Sequence, residues 1–238
     1  MTGLDPLHGG TPPDVAPRPA KGLFQAIFNV EFHGNPSKLG RGKNLIEWKL
    51  EALPGTVTEI ILVIGYQGEQ IRDFFGDTWK GRPVRYVVQH ELNGTAGALW
   101  AARDLLRGRF LVLMGDDLYA PEDILRMTGY RFAIGAQEIW NKEAGGEMIA
   151  NPDGTFAGIH EQKHFIGHGF MNTGLYMLSH ELFDYDLVPV GGSSLEFGLP
   201  HTFAVLAKKM PVMMVRATKW LQVTTPEDLK RVRDFVRA

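Results

Sequence analysis

The 238-residue chain is 44% hydrophobic, enough to bury a substantial core. Its formal net charge of −2 speaks against a nucleic-acid partner, which needs a clustered Lys/Arg excess to neutralise phosphates. The absence of cysteine excludes disulfides, thiolate metal ligands and cysteine nucleophiles. Apolar runs are strand-sized rather than the roughly 20 residues of a membrane helix, and no charged-then-apolar leader opens the chain, so we expect a cytoplasmic protein without a membrane partner. A small anionic ligand and a homo-oligomeric state are both compatible with this composition.

Residues 1–24 read as a flexible segment, rich in Pro and Gly as far as Arg18. Residues 23–30 form the first strand. The loop at 31–43 carries Gly34, Gly40 and Gly42 with Lys38, Arg41 and Lys43. Lying between a strand and a helix near 44–53, it is either a phosphate-holding loop or an ordinary glycine-rich connection. The strand at 59–66 is too continuously apolar for a one-sided sheet, which predicts a parallel sheet covered by helices. A helix at 69–75 and a strand at 84–89 lead to Asn93-Gly94-Thr95-Ala96-Gly97. Thr95 suits the N-cap of a helix running to Leu106. Gly94 and Gly97 either leave room for a planar ligand against bare backbone or mark close helix–strand packing.

The strand at 109–114 ends in Gly115 and two adjacent acids, Asp116 and Asp117. In an open α/β sheet ligands bind beyond the carboxyl ends of the strands, so acids there suit a metal and its phosphate ligands. The alternative is a solvated turn ahead of the helix opened by Pro121-Glu122-Asp123. The alternation so far predicts an α/β fold, a Rossmann-like doubly wound mixed sheet with helices on both faces.

Past Tyr119 the pattern changes. A strand at 131–140 is followed by strands at 147–150 and 155–160 around the turn Asn151-Pro152-Asp153-Gly154. A loop with Asn172, Thr173 and Gly174 precedes a strand at 175–178. Such local pairing predicts an antiparallel extension that roofs the ligand edge. A helix at 197–208, a strand at 212–217 and a last helix, with Thr225 as N-cap and Pro226 in its first position, complete the chain. His160, His164 and His168 recur every four residues, a metal-ligand face if helical, but Gly167, Gly169 and the surrounding strand signals favour extended chain.

The ordered set Gly42-Lys43-Asn44-Leu45-Ile46-Glu47, Gln89 with Asn93 to Leu99, Gly115-Asp116-Asp117-Leu118, and Trp220-Leu221-Gln222-Val223-Thr224-Thr225-Pro226-Glu227-Asp228-Leu229 resembles that of the sugar-1-phosphate nucleotidyltransferases. The resemblance runs from about Gln25 onward and implies one domain over residues 25–238. About 25–128 would be the nucleotide-binding half and 129–238 the sugar-binding half with its antiparallel extension and C-terminal helix. It implies transfer of a nucleotidyl group from a nucleoside triphosphate to a sugar-1-phosphate, releasing pyrophosphate. Asp116 would act in catalysis and hold Mg²⁺, with Gln222 in the second metal position. Lys38 and Arg41 of the first loop would balance phosphate charge. The base would meet Gln89, Gly94, Thr95, Ala96 and Gly97. Gly146, Glu161, Lys163, Asn172 and Gly174 would meet the sugar and its phosphate, and Asp117 is left as a supporting or turn residue.

Three departures from the family pattern stand out. The first loop is short and lacks the family's Gly-x-Gly-Thr-Arg. Gln222 stands where the family has a second aspartate, and Gln162 where it has a lysine, with Lys163 one residue later. These departures keep two further readings open: a catalytically weakened homologue that senses a nucleotide or nucleotide-sugar, and a metal-dependent glycosyltransferase using Asp116 and Asp117.

Overall fold

The computed structural model describes residues 24–30, 43–66, 68–142, 145–162, 165–191, 195–225 and 227–236. The segment expected to be flexible lies outside these up to residue 23, and Phe24 already opens a strand. Lys38, Arg41 and Lys163 also lie outside the described residues.

The first half alternates as expected: β1 (Phe24–Val30), α1 (Leu45–Ala52), β2 (Val57–Ile64), α2 (Gly68–Phe75), β3 (Thr78–Trp79), β4 (Arg82–Val88), α3 (Gly94–Ala101) and β5 (Arg109–Met114). Asn44 starts α1 with a reciprocal box. Its side chain accepts the Glu47 amide and the Glu47 carboxylate accepts the Asn44 amide, each at 2.8 Å, which satisfies donors that a helix start leaves orphaned. After α3 the chain tightens into i→i+3 turns through Leu106, so the helix stops short of its expected end.

A turn at Gly115 and Asp116 leads into β6 (Asp117–Tyr119) and α4 (Pro121–Met127). Then come β7 (Ala133–Lys142), β8 (Gly145–Ala150), β9 (Phe156–Gln162) and β10 (Phe165–Ser179), followed by α5 (Leu199–Ala207), β11 (Met213–Arg216), β12 (Trp220–Gln222) and α6 (Asp228–Phe235). Residues 172–174, expected as a loop, are part of the long β10. The register with β7 shifts between Asn172 and Tyr176, so the turn chemistry of Asn-Thr-Gly makes a bulge inside a strand instead of ending one. At the start of α6 the Asp228 carboxylate accepts the Thr225 amide at 3.0 Å and the Thr225 hydroxyl accepts the Asp228 amide at 3.4 Å. Thr225 thus bonds to the first helical residue, but the N-cap of α6 is Glu227 rather than the expected Thr225, so the regular helix begins later; Pro226 lies outside the described residues.

The main sheet runs β11-β7-β10-β5-β1-β2-β4-β3, with β8 and β9 attached beside β10. β1 pairs in parallel with β2 and β5, and β2 with β4, whereas β10 is antiparallel to β5 and β7. Successive residues of β1 and β2 feed opposite faces. Ile27, Ile61 and Val63 pack with Leu99 of α3 and Phe203 of α5; Ala26, Phe28, Ile60 and Leu62 pack with residues of α1, α2 and α4. Both faces are covered, which is why β2 reads as an unbroken apolar run.

α4 also holds the connection from β11 to β12. Asp123, 2% exposed, accepts from the Thr218 amide at 2.8 Å, the Thr218 hydroxyl at 3.0 Å and the Lys219 amide at 3.3 Å, and it is paired with Arg126. Arg126 in turn donates to the Arg216 carbonyl at 2.5 Å. Replacing Asp123 with Ala leaves the half-buried Arg126 guanidinium without its counter-charge and two amides without their acceptor, a loss we put at about 3 kcal/mol. In calorimetry Asp123→Ala should melt roughly 6–12 °C below the parent, and Asp123→Asn, which keeps one acceptor, should fall between them.

Candidate active site

β5 lies between β1 and β10 in the middle of the sheet, so its carboxyl end opens at the edge where α/β sheets take ligands. The two acids that follow occupy different environments. Asp116 is half-buried in the turn. Asp117 is 3% exposed; its carboxylate accepts from the Trp220 indole N–H at 3.1 Å and the Tyr119 hydroxyl at 3.3 Å. Burial, reinforced by the charge of Asp116, raises the Asp117 carboxyl to about 8.

Beneath this turn sits a residue the sequence reading missed. Lys49 of α1 is 1% exposed, and its Nζ donates to the Met114 carbonyl at 3.0 Å and to the Gly115 carbonyl. Burial pulls its ammonium down to about 8, against the opposing pull of Asp117 and Asp116. A signal was available: Ile46, Lys49, Leu50 and Leu53 fall at i, i+3, i+4 and i+7, which puts the lysine inside the apolar stripe of its helix.

β12 returns to the same place. It pairs antiparallel with β6, Trp220 opposite Tyr119, Leu221 opposite Leu118 and Gln222 opposite Asp117, and the Val223 amide donates to the Asp116 carbonyl at 2.8 Å. Asp116, in the turn that leads into β6, and the exposed Gln222, paired with Asp117 at the end of β12, therefore lie at the same end of one short ladder. Beside Gln222 opens a cleft of about 550 Å³, lined among others by Gln137, Met171, Lys219, Trp220 and Arg231. Among the described residues, no three acids or histidines gather closely enough to hold a metal. What the strand end offers is one carboxylate and one amide oxygen.

The sugar-half candidates meet the acidic end through β10. Gly174 has φ +72, and a Cβ there would lie 2.4 Å from Met114 Cγ and 2.9 Å from Asp117 Oδ2. Asn172 braces the bulge, accepting the Gly174 amide at 2.9 Å and donating to the Tyr176 hydroxyl at 2.6 Å. Gly146 faces Glu161 in the β8–β9 ladder, which joins β10 where Glu147 pairs with Met171.

At the other candidate subsite Gln89 is buried and donates to the Asn93 side chain at 3.1 Å and the Gly94 carbonyl at 3.4 Å. The room at the two glycines is taken by protein. A Cβ on Gly94 would come 2.6 Å from the Phe197 carbonyl, and one on Gly97 would overlap the Asn93 side chain. The Ala96 amide donates to Phe197 at 3.0 Å. Thr95 caps a helix, but not its own: its hydroxyl accepts the Leu199 amide at the start of α5, at 2.9 Å, while Asn93 is the N-cap of α3 without a side-chain cap bond.

The family profile described as Nucleotidyl transferase matches residues 38–238. The chain belongs to this family. The bifunctional protein GlmU of Methanococcus maripaludis is 31% identical over 144 residues, 60% of this chain and 34% of that protein, so the chain spans about a third of the length of the GlmU relatives it matches first. The D-glycero-alpha-D-manno-heptose 1-phosphate guanylyltransferase of Campylobacter jejuni is 23% identical over 54% of this chain and 58% of its own length. Among solved structures, the inositol-1-phosphate CTP transferase of T. maritima superposes with a TM-score of 0.70 at 15% identity, covering 91% of this chain and 96% of that one. This last likeness bears on the fold, the α/β mixed sheet expected from the sequence.

In this nucleotidyl transferase family member His160 and His168 lie on β9 and β10, strands as expected; His164 lies outside the described residues. His168 meets Glu138 at 2.5 Å. The packing at Gly174 gives a direct test. Gly174→Ala combines a left-handed backbone with overpacking, together about 3 kcal/mol. Gly158→Ala in β9, where a Cβ meets open space, should stay within about 0.5 kcal/mol of the parent. Denaturant melts of the two variants check the difference.

Proposed function

We propose that the chain transfers a nucleotidyl group from a nucleoside triphosphate to a sugar-1-phosphate or similar phosphorylated small molecule. A phosphate oxygen of the acceptor attacks the α-phosphorus. The bond from that phosphorus to the bridging oxygen breaks, pyrophosphate leaves with the bonding electrons, and a nucleotide-sugar remains. Such chemistry needs positioning and charge neutralisation more than a covalent group from the protein.

The observation that carries this reading is the convergence of three distant segments, β5–β6, the bulge of β10 and β12, on Asp116 and Asp117. Membership of the family supports it. The donors at Asp116 and Gln222 are hard oxygens, and Mg²⁺ at phosphate sites often takes only one or two carboxylates beside substrate oxygens and waters. They fit a Mg²⁺ ion, which would offset the charge of the phosphates. Lys38 and Arg41 would meet the phosphates, and Gly146, Glu161, Lys163, Asn172 and Gly174 the acceptor; the base would meet Gln89, with Gly94, Thr95, Ala96 and Gly97 shaping that edge from behind, where Phe197 and Asn93 pack against them. Residues 25–238 would work as one unit, in the cytoplasm.

One observation favours a second reading, a weakened homologue that only senses a nucleotide or nucleotide-sugar: Gln222 supplies a neutral oxygen where the family has a carboxylate. A panel of nucleoside triphosphates and sugar-1-phosphates with Mg²⁺ separates the two. We expect pyrophosphate release from at least one pair and a drop of about 100-fold or more in Asp116→Ala. If no pair turns over while a nucleotide or nucleotide-sugar still raises the melting temperature, the sensor reading replaces ours. Free nucleoside diphosphate with sugar passed to an acceptor would instead mark a glycosyltransferase.

A further inference from the structure

A lysine is costly to bury unless its ammonium is paired or fully hydrogen-bonded. Lys49 lies in the apolar stripe of α1 with Leu50 and Leu53 in the core beside it. Its hydrogen bonds, among the described residues, go to the carbonyls of Met114 and Gly115. A leucine or methionine would fill that space without the desolvation cost. What the ammonium adds is a grip on two successive peptide planes, the second of which leads directly into Asp116.

The place of that grip is specific. The register of β10 with β5 ends at Leu113, where the bulge of β10 passes over Met114. From Asp116 onward the chain is held again, by the Val223 amide on the Asp116 carbonyl and by the β6–β12 ladder. Met114 keeps its pairing with Asn29 of β1 and its amide donates to the Tyr119 hydroxyl at 3.2 Å, so it is Gly115 that lies between these two supports. Lys49 holds the carbonyls on either side of the Gly115 α-carbon from α1, whose start is capped by the Asn44–Glu47 box.

We propose that Lys49 is a positioning residue: by fixing the Met114 and Gly115 carbonyls it sets the direction in which Asp116 presents its carboxylate to a divalent cation. The inference rests on the metal role given to Asp116 above. Groups that orient a metal ligand without touching the metal commonly govern affinity or activity by 10–100-fold, and Lys49 acts here through the main chain instead of through a ligand side chain.

The test measures Mn²⁺ binding by electron paramagnetic resonance on the full chain, together with pyrophosphate release and melting temperature, for the parent, Lys49→Met and Lys49→Gln. Met fills the volume without donors; Gln keeps a shorter, neutral donor. We expect Lys49→Met to bind Mn²⁺ about 10-fold or more weakly, with a matching loss in kcat and a KM for the nucleotide within about threefold of the parent. Lys49→Gln should fall between. Parent-like Mn²⁺ affinity in Lys49→Met would overturn the proposal, whatever happens to its melting temperature, because a merely structural lysine changes stability and leaves the cation site alone. If Lys49→Met fails to fold, Lys49→Gln decides: parent-like affinity overturns the proposal and weakened affinity upholds it. Absence of Mn²⁺ binding by the parent also overturns it. If the parent binds Mn²⁺ yet turns over no substrate pair, the proposed reaction fails while the Mn²⁺ affinities still judge Lys49.

Discussion

The three-residue ladder between β12 and β6 closes the candidate site. Without it the chain after β11 would have no fixed relation to the end of β5, since the two segments are about a hundred residues apart in sequence. With it, Trp220 reaches Asp117, Val223 reaches the Asp116 carbonyl, and Gln222 comes level with the acidic pair. So short a ladder contributes little by itself. It holds because both ends are anchored elsewhere: Asp123 and Arg126 fix the backbone at 216–219, and Leu118, Leu221, Val223 and Val232 share a small apolar cluster under α6.

The sheet imposes a complementary constraint. Because both its faces are covered by helices, a polar group on β1, β2 or β5 has no wet surface to reach except at the strand ends. The carboxyl edge is therefore where acids can gather without cost, and Asp116 takes that opportunity. Lys49 and Asp117 do not: both are buried, and both are shifted against their charged forms. Their hydrogen bonds go to the turn and its neighbours, so the cost is concentrated around Gly115 and Asp116.

Legibility followed the range of the interactions. β2 and β5 could be read because burial on both faces leaves an unbroken apolar run, and the acidic pair because a buried strand rarely ends in two carboxylates. β12 could not, since three residues carry no periodicity and its strand character comes from β6. Thr95 is not the N-cap expected of it, a place Asn93 takes, because its hydroxyl accepts an amide 104 residues away at the start of α5. Asn172-Thr173-Gly174 has the composition of a turn, but the pairing of Leu175 to Ser179 with β5 keeps the chain extended, and the local preference survives as a bulge.

The same bulge explains why the two adjacent acids part company. Gly174 lies against Asp117 and Met114 so closely that any side chain there would collide with them. That contact, with the indole of Trp220 and the hydroxyl of Tyr119, closes Asp117 away from solvent. Asp116 points from the turn one residue earlier and escapes this enclosure. Asp116 stands in the turn ahead of β6 and is half-buried, whereas Asp117 opens the strand and is packed into the protein. The acidic pair, for which the family resemblance assigns the metal to Asp116 and leaves Asp117 in a supporting place, thus becomes one internal anchor and one half-buried carboxylate, and the anchor's role is to keep the strand end, the bulge and β12 together around the carboxylate that remains.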